Sequence, residues 1–192
     1  MLMGESERLS AALAFATVKH KGQKRIGGDD YITHPIAVSE IVKQQGFDEN
    51  YQIAALFHDL SRFEQFVRFQ TYNDAVSFDH GERSYQLILQ DDWLPLEFSD
   101  EDKMIVLSAV RFHNKRCVPD NLSGAELKIL TAVRDADKTD IFNILLQHLK
   151  NPENPAIVYK LPDFSRLSSK VAAALRAGHS PAHADFETGL DF

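Results

Sequence analysis

Residues 126–146 read ELKILTAVRDADKTDIFNILL, and the spacing within them decides the kind of fold this chain adopts. Leu130, Val133, Asp137, Ile141, Ile144 and Leu145 recur at intervals of three and four, the period of one helix face. Ser123 and Glu126 have capping-box spacing, which predicts a helix opening there and running to about Leu149. The apolar stripe carries a carboxylate in its middle. An ionised Asp on a core-facing stripe is costly unless it is paired or binds a metal.

The same helical period extends outward in both directions. A first helix is predicted from Ser6 to about Lys19, with Leu9, Ala12, Leu13 and Ala16 on one side. A basic, Gly-containing loop, HKGQKRIGGDD, comes next at 20–30. Thr33 stands where an N-cap belongs, Pro35 takes an early helical position, and Gly46 closes that helix. Asp48 or Asn50 can start YQIAALFHDL, and Ser61 with Glu64 suggests a capping box for the short helix RFEQFVRF. Helices from about Asp79 to Leu89 and over DKMIVLSAVRFH, with Ser99 and Asp102 at its start, complete the pattern. Trp93 and the phenylalanines are read as core, with Phe63, Phe66 and Phe69 covering one side of the short helix. No alternating strand pattern occurs. The expectation is an all-α bundle of about seven to nine helices, with a site where four or five of them converge.

Past Lys150 the texture changes, with Asn-Pro at 151–152 and 154–155 and then Pro162. Residues 151–162 read as a connector. A final helix from about Asp163 to Ala177 is expected to pack Leu167, Val171 and Leu175. The organisation predicted is thus one domain over 1–150, with 151–192 as connector, helix and tail packing on it.

Composition narrows the function. Among 192 residues, Asp and Glu total 28 against 21 Lys and Arg, a net charge of −7, so attraction to a nucleic-acid polymer is not expected. The single cysteine, Cys117, excludes an internal disulfide and a multi-thiolate zinc site. The opening MLMGESER lacks a basic leader, and Ala11–Ala16 is too short to span a bilayer, so the expected location is cytoplasmic without a membrane partner. A homo-oligomer is compatible with the sequence.

Histidines recur on the wrong faces. His34 shares a face with Val38 and Ile41, His58 lies beside IAALF, His113 comes after Val106 and Val110, and His80 precedes Leu87 by two turns. Each alone reads as an ordinary hydrogen-bonded core histidine, and Asp59 beside His58 as a cap or half an ion pair. Together with Asp59 and Asp137 they make six inward polar groups. Each left unsatisfied costs about 1–3 kcal/mol, enough in sum to cancel a domain stability of about 5–15 kcal/mol. One shared cation would satisfy all six. Imidazole with carboxylate suits Fe, Mn or Zn rather than Mg or Ca, and six donors can hold two adjacent ions with one carboxylate as a bridge.

The ordered set His34, His58-Asp59, His80, His113, Asp137 resembles the HD-domain superfamily of metal-dependent phosphohydrolases, in the branch with two intermediate histidines. The resemblance covers about residues 10–150. It implies an all-α HD bundle, a divalent ion or two (Mn, Fe, Mg, Zn or similar), and a small phosphorylated substrate, a nucleotide among them. KHKGQKRIGGDDYITHP is similar to the opening of the alarmone (ppGpp) hydrolases, where an Arg matching Arg25 packs on the guanine base. HDLSRFEQF departs from those enzymes in lacking their catalytic Glu-Asp pair. HDLSRFEQF, NDAVSFDHGE, VRFHNKR and VRDADKTDIF instead resemble a bacterial HD-hydrolase group of unassigned substrate.

The resemblance implies metal-assisted hydrolysis with Asp59 as the bridging, catalytic carboxylate. Arg62, three residues on, reads either as a phosphate-gripping catalytic group or as the partner of Glu64 or another acid. Asn114 and Lys138 can line the rim or lie in solvent. Lys21 and Arg25, in the basic loop, form a substrate clamp or a solvated turn. The same ligand order occurs in HD-type di-iron oxygenases, and a nucleotide-binding sensor with a non-catalytic metal site is the third alternative.

Overall fold

A computed structural model describes residues 7–25, 28–92, 94, 98–150 and 166–191. They form eight α-helices: α1 Glu7–Lys19, α2 Thr33–Gln44, α3 Glu49–Phe57, α4 Arg62–Phe69, α5 His80–Gln90, α6 Asp100–Phe112, α7 Gly124–Lys150 and α8 Ser169–Arg176. Among the described residues no strand forms, and the only β pairing is an isolated bridge between Lys24 and Asp30. The fold is all-α.

The hub is α3. Ile53, Ala54, Ala55, Leu56 and Phe57 are all buried, so the C-terminal half of the helix is covered on every side. A helix apolar all round belongs at the centre of a bundle, and α3 packs on α1, α2 and α6. Phe57 meets Phe15 edge-on, with ring centroids 5.6 Å apart. Val38, Val42, Val106, Val110, Ile129 and Val133 complete the core. Because α3 is central, the residues just past its last turn are delivered to the middle of the molecule. Those residues are His58 and Asp59.

The helix ends mostly obey local chemistry. The Asp48 carboxylate accepts from Asn50 N–H at 3.0 Å, the Asp79 carboxylate from Glu82 N–H at 3.0 Å, and the Ser99 hydroxyl from Asp102 N–H at 3.1 Å. The capping box at α7 is reciprocal: Glu126 N–H donates to the Ser123 hydroxyl and Ser123 N–H to the Glu126 carboxylate. Two expected caps fail. Thr33 is already helical and its hydroxyl donates to Asp30 C=O. Ser61 caps nothing; its hydroxyl donates to His80 C=O and its N–H to the Ser84 hydroxyl, tying the HD turn to α5.

The short helix α4 also corrects the sequence reading. Phe63, Phe66 and Phe69 remain 37%, 38% and 40% exposed, whereas Gln65 is fully buried. The polar face turns inward because Gln65 satisfies a loop: its amide donates to Asp74, Ser77 and Phe78 C=O while its oxygen accepts from Arg62. Phe66 and Phe69 lean on Tyr72 and Phe78 instead of entering the core. Trp93 lies outside the described residues.

The chain divides into two compact units, residues 1–141 and 142–192, with the division inside α7. The expected connector at 151–162 lies outside the described residues. In the second unit, α8 begins at Ser169 rather than near Asp163, Val171 is buried, and Leu167 and Leu175 are exposed. The unit is organised by polar bonds: the Asp191 carboxylate accepts from the N–H groups of Ser168, Glu187 and Thr188 at 2.7–2.9 Å. None of the described helices is long and apolar enough to cross a membrane.

Ser99→Ala removes the acceptor at the head of α6 and is expected to cost about 1 kcal/mol, read as a lower urea midpoint with unchanged slope.

Candidate metal centre

Five elements deliver the six expected residues to one buried place. His34 sits in the first turn of α2, His58 and Asp59 come directly after α3, His80 opens α5, His113 comes directly after α6, and Asp137 lies midway along α7. All six are buried. His34 and His58 bring their Nε2 atoms to 3.3 Å, and His80 and His113 bring theirs to 3.0 Å.

Asp59 lies between the two pairs. Its Oδ2 is 3.6 Å from the Nε2 of both His34 and His58. Its Oδ1 is 3.4 Å from His80 Nε2 and 3.6 Å from His113 Nε2. Asp137 Oδ1 joins the first pair only, 3.3 Å from His34 and 3.9 Å from His58.

The other ring nitrogens fix the proton positions. His58 Nδ1 lies 2.6 Å from Ala55 C=O and His113 Nδ1 2.8 Å from Val110 C=O, each three residues back in its own helix. His34 Nδ1 is 2.7 Å from Asp140, and His80 Nδ1 is 2.6 Å from Asp74. Carbonyls and carboxylates only accept, so every Nδ1 is a donor and, in a neutral ring, every Nε2 is left with a lone pair. With all four rings neutral, as a bound cation requires, two pairs of lone pairs would face each other and Asp59. With metal–nitrogen bonds of about 2.0–2.1 Å, such nitrogen spacings suit neighbouring ligands about 90–105° apart. The donors therefore fit a divalent cation: His34, His58 and Asp137 lie close enough to share one, and His58, Asp59 and His113 form a second group that overlaps the first at His58.

Electrostatics point the same way. The carboxylates Asp59, Asp74, Asp137 and Asp140 face the cations Arg62, Lys138 and Arg25, leaving one positive charge short. Burial opposes charge on His34, but its bonds to Asp137 and Asp140 outweigh burial and raise it to about 9. A proton there supplies the missing charge. Burial pushes His58 down to about 3 and His80 down to about 4, keeping both neutral. Burial would raise Asp59, but His58, Arg62, His113 and His80 hold it well below the usual carboxylate range. Asp137 is likewise held low, against burial, by His34, His58 and Lys138.

The remaining expected residues are placed unevenly. Arg62 lies beside the centre, its Nε 3.3 Å from Asp59 Oδ1 and its Nη1 bonded to Gln65, Tyr72 C=O and Asp74 rather than to Glu64. Arg25 donates to Asp140 at 2.7 Å, so it supports the carboxylate that orients His34. Lys138 is exposed and reaches Asp137 Oδ2 at 2.7 Å. Lys21 is exposed, with no ion pair among the described residues. Asn114 does not point to a rim. Its amide donates to Asp79 at 2.8 Å and Asp74 at 3.0 Å, and it packs so tightly on Gly81 that a Cβ there would meet its Oδ1 at 2.5 Å.

Sequence reasoning missed three residues that touch the six clustered side chains. Asp140 was legible, three residues after Asp137 on the same helix face. Tyr31, whose hydroxyl donates to Asp59 Oδ2 at 2.7 Å, and Asp74, in a 3₁₀ turn over Asp74–Val76, had no periodic signal. His20, at the head of the basic loop, is buried and stacked on Tyr31 at 5.1 Å.

Residues 12–87 match a family described as HD domain. Over that stretch, less than half of the chain, the sequence is similar to an HD domain. It is 45% identical over 51 residues to the bifunctional (p)ppGpp synthase/hydrolase RelA of Mycobacterium tuberculosis, covering 27% of this chain and 7% of that protein. It is 43% identical over 54 residues to the bifunctional (p)ppGpp synthase/hydrolase SpoT of Escherichia coli strain K12, covering 28% and 8%. A GTP pyrophosphokinase of Streptomyces coelicolor is 52% identical over 40 residues, covering 21% and 5%. The matches thus span less than a tenth of each of these relatives. No solved structure matches this chain.

A cation entering the first pair displaces the His34 proton. Metal uptake at pH 7 is therefore expected to release close to one proton, with affinity rising as pH increases toward 9. Mn²⁺ calorimetry in buffers of different ionisation enthalpy reads this directly, and proton-neutral binding would contradict it.

Proposed function

We propose that the chain is a metal-dependent phosphohydrolase that hydrolyses a phosphoester of a small molecule, with nucleotides as the favoured class. The observation that carries this reading is the placement of Asp59, one oxygen facing His34 and His58 and the other facing His80 and His113. His34, His58, Asp59 and Asp137 would hold one ion, and Asp59, His80 and His113 a second. Bound there, the ions lower the pKa of a water toward neutrality and grip phosphoryl oxygens.

The chain's own groups supply the rest. Arg62 keeps Asp59 ionised and has an Nη2 without a protein partner among the described residues, available to a phosphoryl oxygen. Lys138 is exposed beside Asp137 and Lys21 is exposed in the basic loop, so both can reach an anionic ligand from solvent. Arg25 is engaged by Asp140, which leaves it a supporting rather than a free clamp. The nucleotide preference rests on the likeness to proteins named (p)ppGpp synthase/hydrolase. Alarmone hydrolysis itself is not favoured, because HDLSRFEQF lacks the Glu-Asp pair that the resemblance to those enzymes implies.

Phosphate release from a nucleotide panel and from p-nitrophenyl phosphate, with Mn²⁺ present, tests the reading. His58→Ala and Asp59→Ala are expected to lower turnover at least 100-fold, since each removes a ligand, while circular dichroism stays helical. Activity intact in both variants overturns the proposal. Oxygen uptake by iron-loaded protein without phosphate release would move the assignment to the oxygenase branch.

In the same reading the ions stabilise the fold, because the unfolded chain lacks the assembled site. Mn²⁺ at 100 times its Kd is expected to add about 2.7 kcal/mol, seen as a higher melting temperature that chelation reverses and that His58→Ala lacks.

A further inference from the structure

A carboxylate that bridges two ions must present one oxygen to each and must be kept from rotating, because a small swing gives both oxygens to one ion. Asp59 stands in the turn between α3 and α4, where no helical hydrogen-bond ladder restrains its side chain. Its restraint comes from elsewhere. Oδ2 accepts from the Tyr31 hydroxyl at 2.7 Å, and Oδ1 accepts from Arg62 Nε at 3.3 Å. A carboxylate oxygen has two in-plane lone pairs. With one used by a donor, each oxygen keeps the other for an ion beside the histidine pair it lies nearest.

The two donors are not equivalent. Arg62 divides its guanidinium among Asp59, Gln65, Tyr72 C=O and Asp74. The Tyr31 hydroxyl makes one short bond, and its ring cannot easily turn away. It lies between His20, at 5.1 Å and 25°, and Tyr72, at 5.7 Å and 36°. Its N–H donates to Gln23 C=O at 2.9 Å, and its C=O accepts from the N–H of His34 at 2.9 Å. One residue therefore holds the start of the helix bearing His34 with its backbone and the Asp59 carboxylate with its side chain.

We propose that Tyr31 is a positioning residue that locks Asp59 in the bridging orientation, so that the affinity for the second ion depends on the Tyr31 hydroxyl. The inference rests on the two-ion reading above. Tyr31 touches no reacting atom; it acts through Asp59. Without the hydroxyl, Oδ2 loses its donor and only the longer, shared Arg62 bond at Oδ1 remains, so the carboxylate is less restrained against turning toward a single ion and away from the ion beside His80 and His113.

Tyr31→Phe removes the hydroxyl and keeps the ring in its stack, so it isolates that bond from packing. The wild-type chain is expected to bind two Mn²⁺ by calorimetry, with an exchange-coupled electron paramagnetic resonance signal from the pair. In Tyr31→Phe the second Mn²⁺ is expected to bind about 10–100-fold more weakly, the first within a few-fold of wild type, and the spectrum near stoichiometry to show isolated ions. Tyr72→Phe loses a hydroxyl from the same stack that donates to Lys24 C=O and not to Asp59, and it is expected to bind both ions as wild type does. A merely structural role would shift the melting temperature in both variants without separating the two affinities. The proposal is overturned if Tyr31→Phe keeps both affinities and the coupled signal, or if Tyr72→Phe weakens the second ion equally. If the wild type itself binds fewer than two Mn²⁺, the two-ion reading falls and this inference with it, which distinguishes the two failures.

Discussion

Burying Asp59 among four imidazoles is the constraint on which the rest of the structure depends. Its carboxylate is at the centre of the bundle because α3, whose C-terminal half is buried on every side, ends one residue before the His58-Asp59 pair. A charge in that position is tolerable only when donors or cations surround it closely. The fold meets that demand twice over. Tyr31 and Arg62 each donate to one of its oxygens, and the His34/His58 and His80/His113 pairs stand 3.4–3.6 Å from the same two oxygens.

Around this centre the chain repeats one device. Each half contains a histidine oriented by a backbone carbonyl three residues earlier in its own helix, His58 on Ala55 and His113 on Val110. Each also contains a histidine oriented by a carboxylate, His34 on Asp140 and His80 on Asp74. Each of those carboxylates is in turn held by an arginine, Arg25 for Asp140 and Arg62 for Asp74. The basic loop is thereby joined to the ligands. Positive side chains that would otherwise read as a substrate clamp serve partly to keep the orienting carboxylates ionised. The halves differ in that Asp137 belongs only to the first, so the first has the richer oxygen complement.

The outer layer shows how far a site reaches into ordinary structure. Gln65 turns the polar face of α4 inward to satisfy the loop that carries Asp74, and the phenylalanines of that helix stay half-exposed as a consequence. Asn114 holds the same Asp74 from the other side, in a space that only glycine at position 81 leaves open. Ser61 forgoes its expected cap to bind the carbonyl of His80. In each case a polar side chain bonds to Asp74 or to the backbone of His80 at the edge of the cluster. Buried polar groups must be satisfied wherever the tertiary fold puts them.

Helical periodicity by itself determined the class of fold and most of its elements, because a buried stripe at spacings of three and four has a single economical use. It also exposed His34, His58, His80, His113, Asp59 and Asp137 as polar groups on apolar faces, and Asp140 could have been read the same way. What periodicity could not decide was everything carried by residues without a repeating neighbour. Tyr31 and Asp74 lie in loops, and the facing direction of α4 depends on a loop it must satisfy. A helix face is a local property fixed by the period of the chain. Which donor meets which carboxylate across 28 residues, as between Tyr31 and Asp59, exists only once the helices have packed.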